Sequence, residues 1–519
     1  MLRATALSLT CAALALFAAS CGESASGGDA DPASLVPAGT ALYAEVAVQP
    51  TGERRDDALA AAGKILGTGD PAGELSRLID EALAKEPGGL TWEKDFAPWL
   101  GEEVGVYAAN LEAEEPSFAA IVATTDAEAA RAAIQKFKET GEGTYEKRSH
   151  GDVDYELNED GTAAGMVDDF LVLATEDLFK RTVDMRDGGD SLADADRYKE
   201  AVEDTSDSLA HYFVDTKTLI DLALKQDPTA AAQFEQFRSF LPVDKLGPVT
   251  GAFDADGESL AFDTVLTGVP EGAFRQLASL WAGGETELLG DLPGDAWGAY
   301  AFPKLGEGAE SLFNTFAGAL GGAAIAGQFK QETGLDLKQD IFSWVGDAGL
   351  FVRGTTMAEL DGAFVIQSTD DARAEAAFGK LIGLIGKEAG AAPAPLQLEG
   401  AAQAFKIAAP GAEQPIVLAR GEGRVVAAYG EAAATAAIQP DTELAGSDLY
   451  SGAEEVLGDG LQPAFVLSVG DAIALADAVG ATDPEFDEAR PYLERLGTVV
   501  SGGQAEDDTI RSRVGVSLK

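Results

Sequence analysis

Histidine is scarce in this chain, which limits the catalytic chemistry that the sequence can support. Only His150 and His211 occur, so a Ser-His-Asp triad would need one of them. Neither residue is accompanied by a G-x-S-x-G nucleophile motif, and the sequence has no P-loop and no H-E-x-x-H zinc motif. We therefore interpret His150 as a residue of a polar hairpin and His211 as a strand residue. We predict that the protein is not an enzyme.

Carboxylates are the other side chains that could do chemistry. A glycosidase-type reaction needs only two of them, but among 88 acidic residues a pair identifies no site. The stretch from Asp254 to Glu258 begins like a calcium loop, yet it lacks the spaced acids and the final Glu of an EF-hand. Asp256-Gly257 between two alternating strands is typical of a hairpin turn. We predict no metal site and no cofactor.

Cys21 is the one residue to which the sequence assigns a functional role. A positive charge, a short apolar run and then Ala18-Ala19-Ser20 precede it, which is typical of a secretory signal and resembles a bacterial lipobox. We predict a signal peptide over residues 1–20 and a thioether-linked lipid on Cys21. A flexible polar tether is expected over residues 21–34. The alternative is an ordinary signal peptide followed by an incidental cysteine.

The charge balance limits the partners that the chain can bind. With 37 basic and 88 acidic residues, the formal net charge is −51. Such a surface repels phosphate backbones and anionic lipid headgroups, so we predict no binding to nucleic acid. The expected location is extracytoplasmic, with the lipid on Cys21 as the contact with the cell membrane. The apolar stretch from Leu312 to Phe329 is interrupted by glycines, which favours a helix packed on a sheet over a membrane span.

Sequence landmarks recur in the same order in the two halves of the chain. The matched segments are Val36–Ala41 with Leu292–Trp297, Asp95–Glu102 with Asp340–Asp347, Phe118–Asp126 with Gly362–Asp370, Leu192–Tyr198 with Leu444–Tyr450, Phe213–Val214 with Phe465–Val466, and Val249–Gly251 with Val500–Gly502. This order predicts two divergent copies of one domain, over residues 35–269 and 290–519, with a connector over residues 270–289. Trp99 and Trp344 are matched, and we interpret both as core residues rather than ligand-stacking ones.

Each predicted copy combines short strands with amphipathic helices. The stretch from Ala41 to Val48 alternates like a half-buried strand, with Leu42, Ala44, Val46 and Val48 on the face that we expect to be buried. Thr125-Asp126 provides the N-cap of a following helix with one apolar stripe. Strands joined by hairpins, with helices inserted between some of them, indicate an α+β fold with a mainly antiparallel sheet and packed helices.

The opening from Leu35 to Val46, placed shortly after a lipobox, resembles an uncharacterised family of large bacterial lipoproteins. This family carries a domain of unknown function and is typical of high-GC Gram-positive bacteria. The Asp95–Trp99–Gly101 and Thr125-Asp126 landmarks fit the same resemblance, which extends over nearly the whole mature chain. It implies a location and a domain architecture, but no activity, substrate or catalytic residue.

Three hypotheses about function follow from the sequence. The first is a lipid-anchored envelope protein with a non-catalytic binding or scaffolding role and an unknown envelope protein or ligand as its partner. The second is a carrier that holds an apolar ligand between sheet and helices, which requires an apolar pocket of about 300 Å³ or more. The third is an envelope hydrolase that uses two converging carboxylates, one of them with a raised pKa.

Overall fold

The computed structural model describes residues 30–519 with short gaps. The gaps are residues 86–87, 112–115, 141–142, 204, 227–228, 230–233, 235–242, 284–285, 321, 389–392, 409–410 and 481–483. The predicted signal peptide, Cys21 and most of the predicted tether lie outside the described residues. The chain divides into two compact units. Unit 1 comprises Met1–Ala232 and Leu246–Leu266, and unit 2 comprises Gln233–Lys245 and Thr267–Lys519.

Ten strands of unit 1 form one antiparallel sheet. They are β1 (Leu42–Ala47), β2 (Leu100–Ala109), β3 (Ser117–Thr124), β4 (Tyr145–His150), β5 (Val153–Asn158), β6 (Thr162–Val167), β7 (Phe170–Thr175), β8 (Ala210–Val214), β9 (Val249–Ala255) and β10 (Ser259–Leu266). Their order across the sheet is β4-β5-β6-β7-β3-β2-β1-β8-β9-β10. The first strand of the unit therefore lies in its interior, between β2 and β8.

Six α-helices are described in unit 1. They are α1 (Gly52–Leu66), α2 (Pro71–Leu83), α3 (Ala127–Thr140), α4 (Glu176–Arg186), α5 (Asp196–Val202) and α6 (Thr216–Gln226). The chain leaves α1 through the left-handed Gly67 and enters α2 at Pro71, two residues that favour these helix ends. The predicted N-cap is confirmed, because the Asp126 carboxylate accepts from the backbone N–H groups of Glu128 and Ala129 at 2.9 and 3.0 Å.

Both faces of the unit 1 sheet are packed, and the face of β1 predicted to be buried is the less buried one. Tyr43, Glu45 and Ala47 are buried, whereas Leu42, Ala44 and Val46 on the opposite face are partly exposed. Val48, directly after the strand on that predicted face, is buried. Alternation fixes which residues share a face, but it does not fix which face is covered more deeply.

The folded part of unit 1 begins within the predicted tether. Pro32–Leu35 forms a 3-10 turn that is capped by the Asp31 side chain, which accepts from the Ala33 backbone N–H at 2.7 Å. Ala33 and Leu35 are buried in the core beside Tyr43. The last residues of the stretch 21–34 are therefore packed rather than extended into solvent.

Unit 2 also contains ten strands in one antiparallel sheet. They are β11 (Gly298–Phe302), β12 (Val345–Arg353), β13 (Asp361–Ser368), β14 (Ala394–Pro395), β15 (Gln403–Ile407), β16 (Ile416–Gly421), β17 (Arg424–Tyr429), β18 (Gln462–Ser468), β19 (Leu496–Glu506) and β20 (Thr509–Leu518). Their order is β14-β15-β16-β17-β13-β12-β11-β18-β19-β20. Each strand of unit 1 thus has a counterpart ten strands later.

Eight α-helices are described in unit 2. They are α7 (Ala273–Ala282), α8 (Leu305–Leu320), α9 (Gly322–Thr333), α10 (Asp371–Glu388), α11 (Glu431–Ile438), α12 (Asp448–Leu457), α13 (Val469–Ala478) and α14 (Pro484–Leu493). Leu288 and Leu289, at the end of the predicted connector, are fully buried in the core of this unit. Nowhere in the part of the chain that the structure describes is a helix both long and apolar enough to cross a membrane.

The combination of packed helices and antiparallel sheets confirms the predicted α+β fold. The shared strand order is what two divergent copies would have, and common descent of the units stays a prediction. Local details also agree. The indole N–H of Trp99 donates to the Asp95 carbonyl oxygen at 2.6 Å, and that of Trp344 donates to the Asp340 carbonyl oxygen at 2.8 Å. The backbone N–H groups of Thr125 and Thr369 each donate to the carbonyl oxygen of the matching tryptophan at 2.8 Å.

Candidate functional site

A cluster of polar side chains is buried in the core of unit 1. Tyr43 and Glu45 lie on the same face of β1, and the Tyr43 hydroxyl donates to the Glu45 carboxyl group. His211 of β8 lies directly opposite Glu45, and its Nε2 is 3.0 Å from the hydroxyl of Tyr198 on α5. Glu45 is 7% exposed and His211 is 5% exposed. These four residues are called the polar cluster below.

The polar cluster fits because the neighbouring strand carries a glycine. Gly105 of β2 lies opposite Glu45. A Cβ at this position would lie 2.7 Å from the Tyr43 hydroxyl and 2.7 Å from Cβ of Pro32, which is closer than real Cβ atoms approach. A side chain at residue 105 would therefore displace the tyrosine or the N-terminal turn.

Three charged residues surround the carboxyl end of the polar cluster. Arg54 of α1 donates from Nη1 to the Ser208 carbonyl oxygen at 3.1 Å, and its Nη2 is ion-paired with Glu102 and lies 3.7 Å from Glu103. Burial raises the pKa of Glu103 above its ordinary value. The positive charge of Arg54 also acts to lower the pKa of both Glu45 and His211.

Burial determines the protonation of the polar cluster. Desolvation, and then the negative charge of Glu103, raise the pKa of Glu45 to about 8. Desolvation, and then the positive charge of Arg54, lower the pKa of His211 to about 4. Both groups are therefore mainly uncharged near neutral pH, in the form that a hydrogen-bonded core tolerates best.

The sheet register identifies the positions of unit 2 that correspond to the polar cluster. Tyr43 pairs with Phe213 on β8, and Ala299 of β11 pairs with Val466 on β18. The predicted match of Phe213 with Phe465 is therefore wrong by one residue. Phe213 and Val466 are both fully buried, whereas Phe465 lies on the partly exposed face of its strand. One inserted residue shifts every later side chain to the other face.

With this register, unit 2 has small apolar residues at three of the four positions of the polar cluster. Ala299 stands in place of Tyr43, Ala301 in place of Glu45, and Ala464 in place of His211. All three alanines are buried. Tyr198 is matched by Tyr450, the third residue of its helix, so only the combination of all four polar residues is a property of unit 1.

Unit 2 instead has an open cleft of about 620 Å³. The cleft lies where α12 and α13 begin, beside the segment that enters β11 and the chain that leaves β12. Its charged lining residues are Asp295, Glu359, Asp448, Asp471 and Lys519. Trp297 and Leu449 contribute apolar surface, and the Trp297 indole N–H donates to the Gly354 carbonyl oxygen at 2.9 Å.

The side chain of Arg197 fills the corresponding place in unit 1. Its Nη2 donates to the carbonyl oxygens of Ala38 at 2.6 Å and Thr40 at 3.4 Å, and its Nη1 pairs with the Asp215 carboxylate. The guanidinium carbon lies 5.7 Å from the centroid of the Phe213 ring. Arg197 is the second residue of α5. The second residue of the matching helix α12 is Leu449, so unit 2 has no arginine at this position.

The residues singled out from the sequence are not brought together in one site. Cys21 lies outside the described residues. His150 ends β4, where its Nε2 is 2.7 Å from Asp184 Oδ1, and it is far in the sheet order from His211. Trp99 and Trp344 are buried with their indole N–H groups bonded to backbone, as expected of core residues.

The stretch that begins like a calcium loop is a hairpin turn between β9 and β10. Asp256 accepts from the Glu258 backbone N–H and from the Ser259 hydroxyl, both at 2.9 Å. Asp254 accepts from the Ser208 hydroxyl at 2.8 Å. These carboxylates therefore accept hydrogen bonds from neighbouring residues of the protein. The described residues contain no group of three or more His, Cys, Asp or Glu side chains that could hold a metal ion.

Sequence reasoning did not identify Tyr43, Glu45 and Tyr198 as parts of one site. A signal was present, because Glu45 interrupts an otherwise apolar alternating strand. The partner residues come from segments more than 150 positions apart, and only the sheet order brings them together. The open cleft was not anticipated either.

The fold and these features define an α+β protein with two antiparallel-sheet units. The chain belongs to the family described as a protein of unknown function, DUF3352, whose model matches residues 2–448. This confirms the domain of unknown function in the resemblance drawn from the sequence, whereas the lipid anchor and the bacterial range stay predictions. No curated protein matches the chain.

Solved structures of TP0453 are also similar to part of the chain. The match to crystal form III has 11% sequence identity and a TM-score of 0.26, and it covers 50% of this chain and 90% of the TP0453 chain. The match to crystal form IV has 12% sequence identity and a TM-score of 0.25, and it covers 46% of this chain and 80% of the TP0453 chain. Similarity at this level supports no assignment of function.

Proposed function

We propose that this protein is a lipid-anchored, extracytoplasmic envelope protein with a non-catalytic binding role. The observation that carries the anchor is Ala18-Ala19-Ser20 directly before Cys21, followed by a polar stretch up to the folded part of unit 1. A diacylglycerol on the Cys21 thiol would hold the mature chain at the membrane surface. The tether would let the folded units reach a partner in the envelope.

The position of the titratable groups supports a non-catalytic role. A general acid or base must reach a substrate within hydrogen-bonding distance. Glu45 and His211 instead have their hydrogen-bond partners inside the core, at Tyr43 and Tyr198. The polar cluster is better explained as a satisfied network that specifies the packing of unit 1.

A carboxylate-dependent hydrolase is the second candidate, because the pKa of Glu45 is raised and other carboxylates lie close to it. This candidate requires Glu45 to become accessible to solvent. A water-soluble carbodiimide with a small amine, applied to the folded chain at pH 6.5, tests that access by mass spectrometry. A core residue stays unmodified until the protein is unfolded. Modification of Glu45 in the native protein would favour the hydrolase.

The cleft in unit 2 does not favour the carrier of an apolar ligand. Four carboxylates line it, and it lies at the ends of strands and helices rather than between sheet and helices. An apolar ligand would have to displace water from these charges without replacing their hydrogen bonds. We therefore retain a binding role and propose the cleft as the place to look for it.

The anchor is tested by the intact mass and membrane fractionation of the natively expressed protein. We expect a membrane-bound chain that begins at a lipid-modified Cys21, and a Cys21→Ala variant that is neither modified nor retained. Cys11→Ala is the matched control, and it should behave like the wild type because residue 11 lies in the predicted signal peptide. A soluble wild-type chain with an unmodified thiol at Cys21 would contradict the proposal.

A further inference from the structure

The cleft in unit 2 and the place occupied by Arg197 in unit 1 are formed by corresponding backbone segments, which precede β11 and β1. The backbone N–H of Ala38 donates to the carbonyl oxygen of Asp190 at 2.9 Å, and that of Gly294 donates to the carbonyl oxygen of Thr442 at 2.8 Å. The segments before β1 and β11 therefore enter their sheets in the same way. The carbonyl oxygens that accept from Arg197 belong to Ala38 and Thr40, and the residues at these positions in unit 2, Gly294 and Ala296, line the cleft.

The corresponding helix N-caps agree in their backbone hydrogen bonds but differ in their side chains. Asp215 caps α6 and pairs with Arg197, and Ser468 caps α13 at the same place in unit 2. The backbone N–H of Asp215 donates to the carbonyl oxygen of Ala41 at 2.9 Å, and that of Ser468 donates to the carbonyl oxygen of Trp297 at 2.7 Å. Unit 1 thus shows a guanidinium group in the same backbone setting that unit 2 leaves open. Leu449 is too short and too apolar to take its place.

The charges around the cleft favour a cation. Asp295, Glu359, Asp448 and Asp471 line it against the single ammonium group of Lys519. The N-termini of α12 and α13 together offset about one unit of negative charge. Arg353 pairs with Asp295 at 3.2 Å and neutralises part of that carboxylate. Asp448 and Asp471 remain directed at the cleft from the first turns of their helices.

We propose that the cleft in unit 2 binds the guanidinium group of an arginine side chain on a basic segment of a partner protein. The carbonyl oxygens of Gly294 and Ala296 would accept from the guanidinium N–H groups, as their counterparts do from Arg197. Carboxylates at the rim would hold the charge. The cleft is open on one side, so a side chain attached to a longer chain can enter it. A net charge of −51 attracts such a basic partner from a distance.

This inference rests on the proposed binding role, but its test does not depend on the anchor. The probe is arginine with an acetylated amino group and a methylamide at its carboxyl group, added to the full-length mature chain in solution. The neutral control is citrulline capped in the same way, which has nearly the same shape. The indole N–H signal of Trp297, assigned with Trp297→Phe, reports on the cleft. We expect it to shift in a saturable way with capped arginine and not with capped citrulline.

A substitution that copies unit 1 tests the site itself. Leu449→Arg should place a guanidinium group in the cleft and weaken the binding of capped arginine by about tenfold or more, because the same acceptors are then occupied. Leu449→Met is the matched control and should bind within about twofold of the wild type, since a thioether competes for no hydrogen bond. The unchanged indole signals of the other tryptophans show that both variants are folded.

Two further arms separate the sources of the guanidinium group. A peptide with three arginines spaced by Gly-Ser should bind more tightly than capped arginine, because its neighbouring arginines can pair with the other carboxylates that line the open cleft. Tighter binding of free L-arginine than of the capped form would overturn the partner-protein proposal in favour of an amino-acid ligand. Equal binding of capped arginine to the wild type and Leu449→Arg, or no shift of Trp297, would overturn the site.

Discussion

Units 1 and 2 arrange ten strands each in the same order, but they use the equivalent space differently. Unit 1 buries the polar cluster under β1 and fills the place at the start of α5 with Arg197. Unit 2 has three buried alanines at the positions of Tyr43, Glu45 and His211, and it leaves the cleft at the start of α12 open. One framework thus supports a polar, closed unit and an apolar, open one.

This difference separates the residues that hold the fold from those that are free to bind. Features shared by both units are structural. They include the tryptophans bonded to backbone and the ion pairs Asp95–Lys136 and Asp340–Lys380. Features found in one unit alone are where a particular role could have been added.

The largest contrast is expected at two corresponding glycines. Gly105→Ala places a methyl group 2.7 Å from the Tyr43 hydroxyl, whereas at Gly349 the nearest atom to a new Cβ is 3.3 Å away. We expect Gly105→Ala to cost about 2–3 kcal/mol of unfolding free energy, and Gly349→Ala less than about 1 kcal/mol. Hydrogen exchange of amides in β1, β2, β11 and β12 measures each unit separately. Equal effects would show that the polar cluster does not make unit 1 more tightly packed there.

The second contrast is a dependence of unit 1 on pH. Glu45 keeps its proton in the folded state up to a pKa of about 8, whereas in the unfolded chain it ionises near its ordinary value of 4.5. The unfolded state then binds fewer protons, so the stability of unit 1 falls as the pH rises through this range. His211, whose pKa is lowered to about 4, has the opposite effect, which is confined to pH values below about 6.5.

Glu45→Gln isolates this effect between pH 6.5 and 8. The wild type should lose up to about 1.4 kcal/mol per pH unit relative to the variant in that window. Urea unfolding at a series of pH values, followed by hydrogen exchange in β1 and β8, measures the difference. Glu359→Gln, at an exposed carboxylate of unit 2, is the control for removing one acid outside unit 1. Parallel curves for the wild type and Glu45→Gln would refute a buried, protonated Glu45.

A smaller effect is expected at a feature that the units share. The carboxylates of Asp95 and Asp340 each accept from the backbone N–H four residues earlier at 2.8 Å, and they pair with Lys136 and Lys380. We expect Asp95→Ala and Asp340→Ala to cost about 1–1.5 kcal/mol each, because each leaves a backbone donor without its acceptor. Hydrogen exchange in α3 and α10 gives the two values. A loss of unfolding free energy in one unit alone would mean that the two aspartates, despite the same geometry, do not stabilise both units.

The smallest effect is expected at the lysines of the same pairs. Lys136 and Lys380 are partly exposed, with 39% and 49% of their side-chain surface accessible. We expect Lys136→Ala and Lys380→Ala to cost less than about 0.5 kcal/mol, since solvent screens such pairs. The difference between the lysine and aspartate variants shows how much comes from the backbone hydrogen bond. Lysine variants as costly as the aspartate variants would assign the stability to the ion pair instead.

The sequence could predict the elements of the fold better than their arrangement. Alternation and capping residues identified β1 and the start of α3, because these signals depend on neighbours in the chain. The recurrence of landmarks anticipated two units with one strand order. It could not give the register of β18 against β11, where a match of Phe213 with Phe465 is attractive in sequence and wrong by one residue in the sheet.

The candidate sites were harder to predict, for a physical reason. The polar cluster depends on which face of β1 is covered more deeply, and alternation alone is symmetric between the two faces. Glu45 is brought to His211 by a pairing across 166 positions of the chain. The cleft depends on a side chain that unit 2 lacks, because Leu449 stands at the position that Arg197 has in unit 1.

The contrast between the units requires that Glu45 and His211 lie in the core of unit 1. A titration of the Glu45 carboxyl carbon by NMR, with selectively labelled glutamate and Glu45→Gln for assignment, tests it most directly. We predict a pKa of about 8 for this carboxyl group in the folded protein. A pKa near the ordinary value of 4.5 would show that Glu45 is exposed to water, and it would contradict both the closed core of unit 1 and the contrast with unit 2.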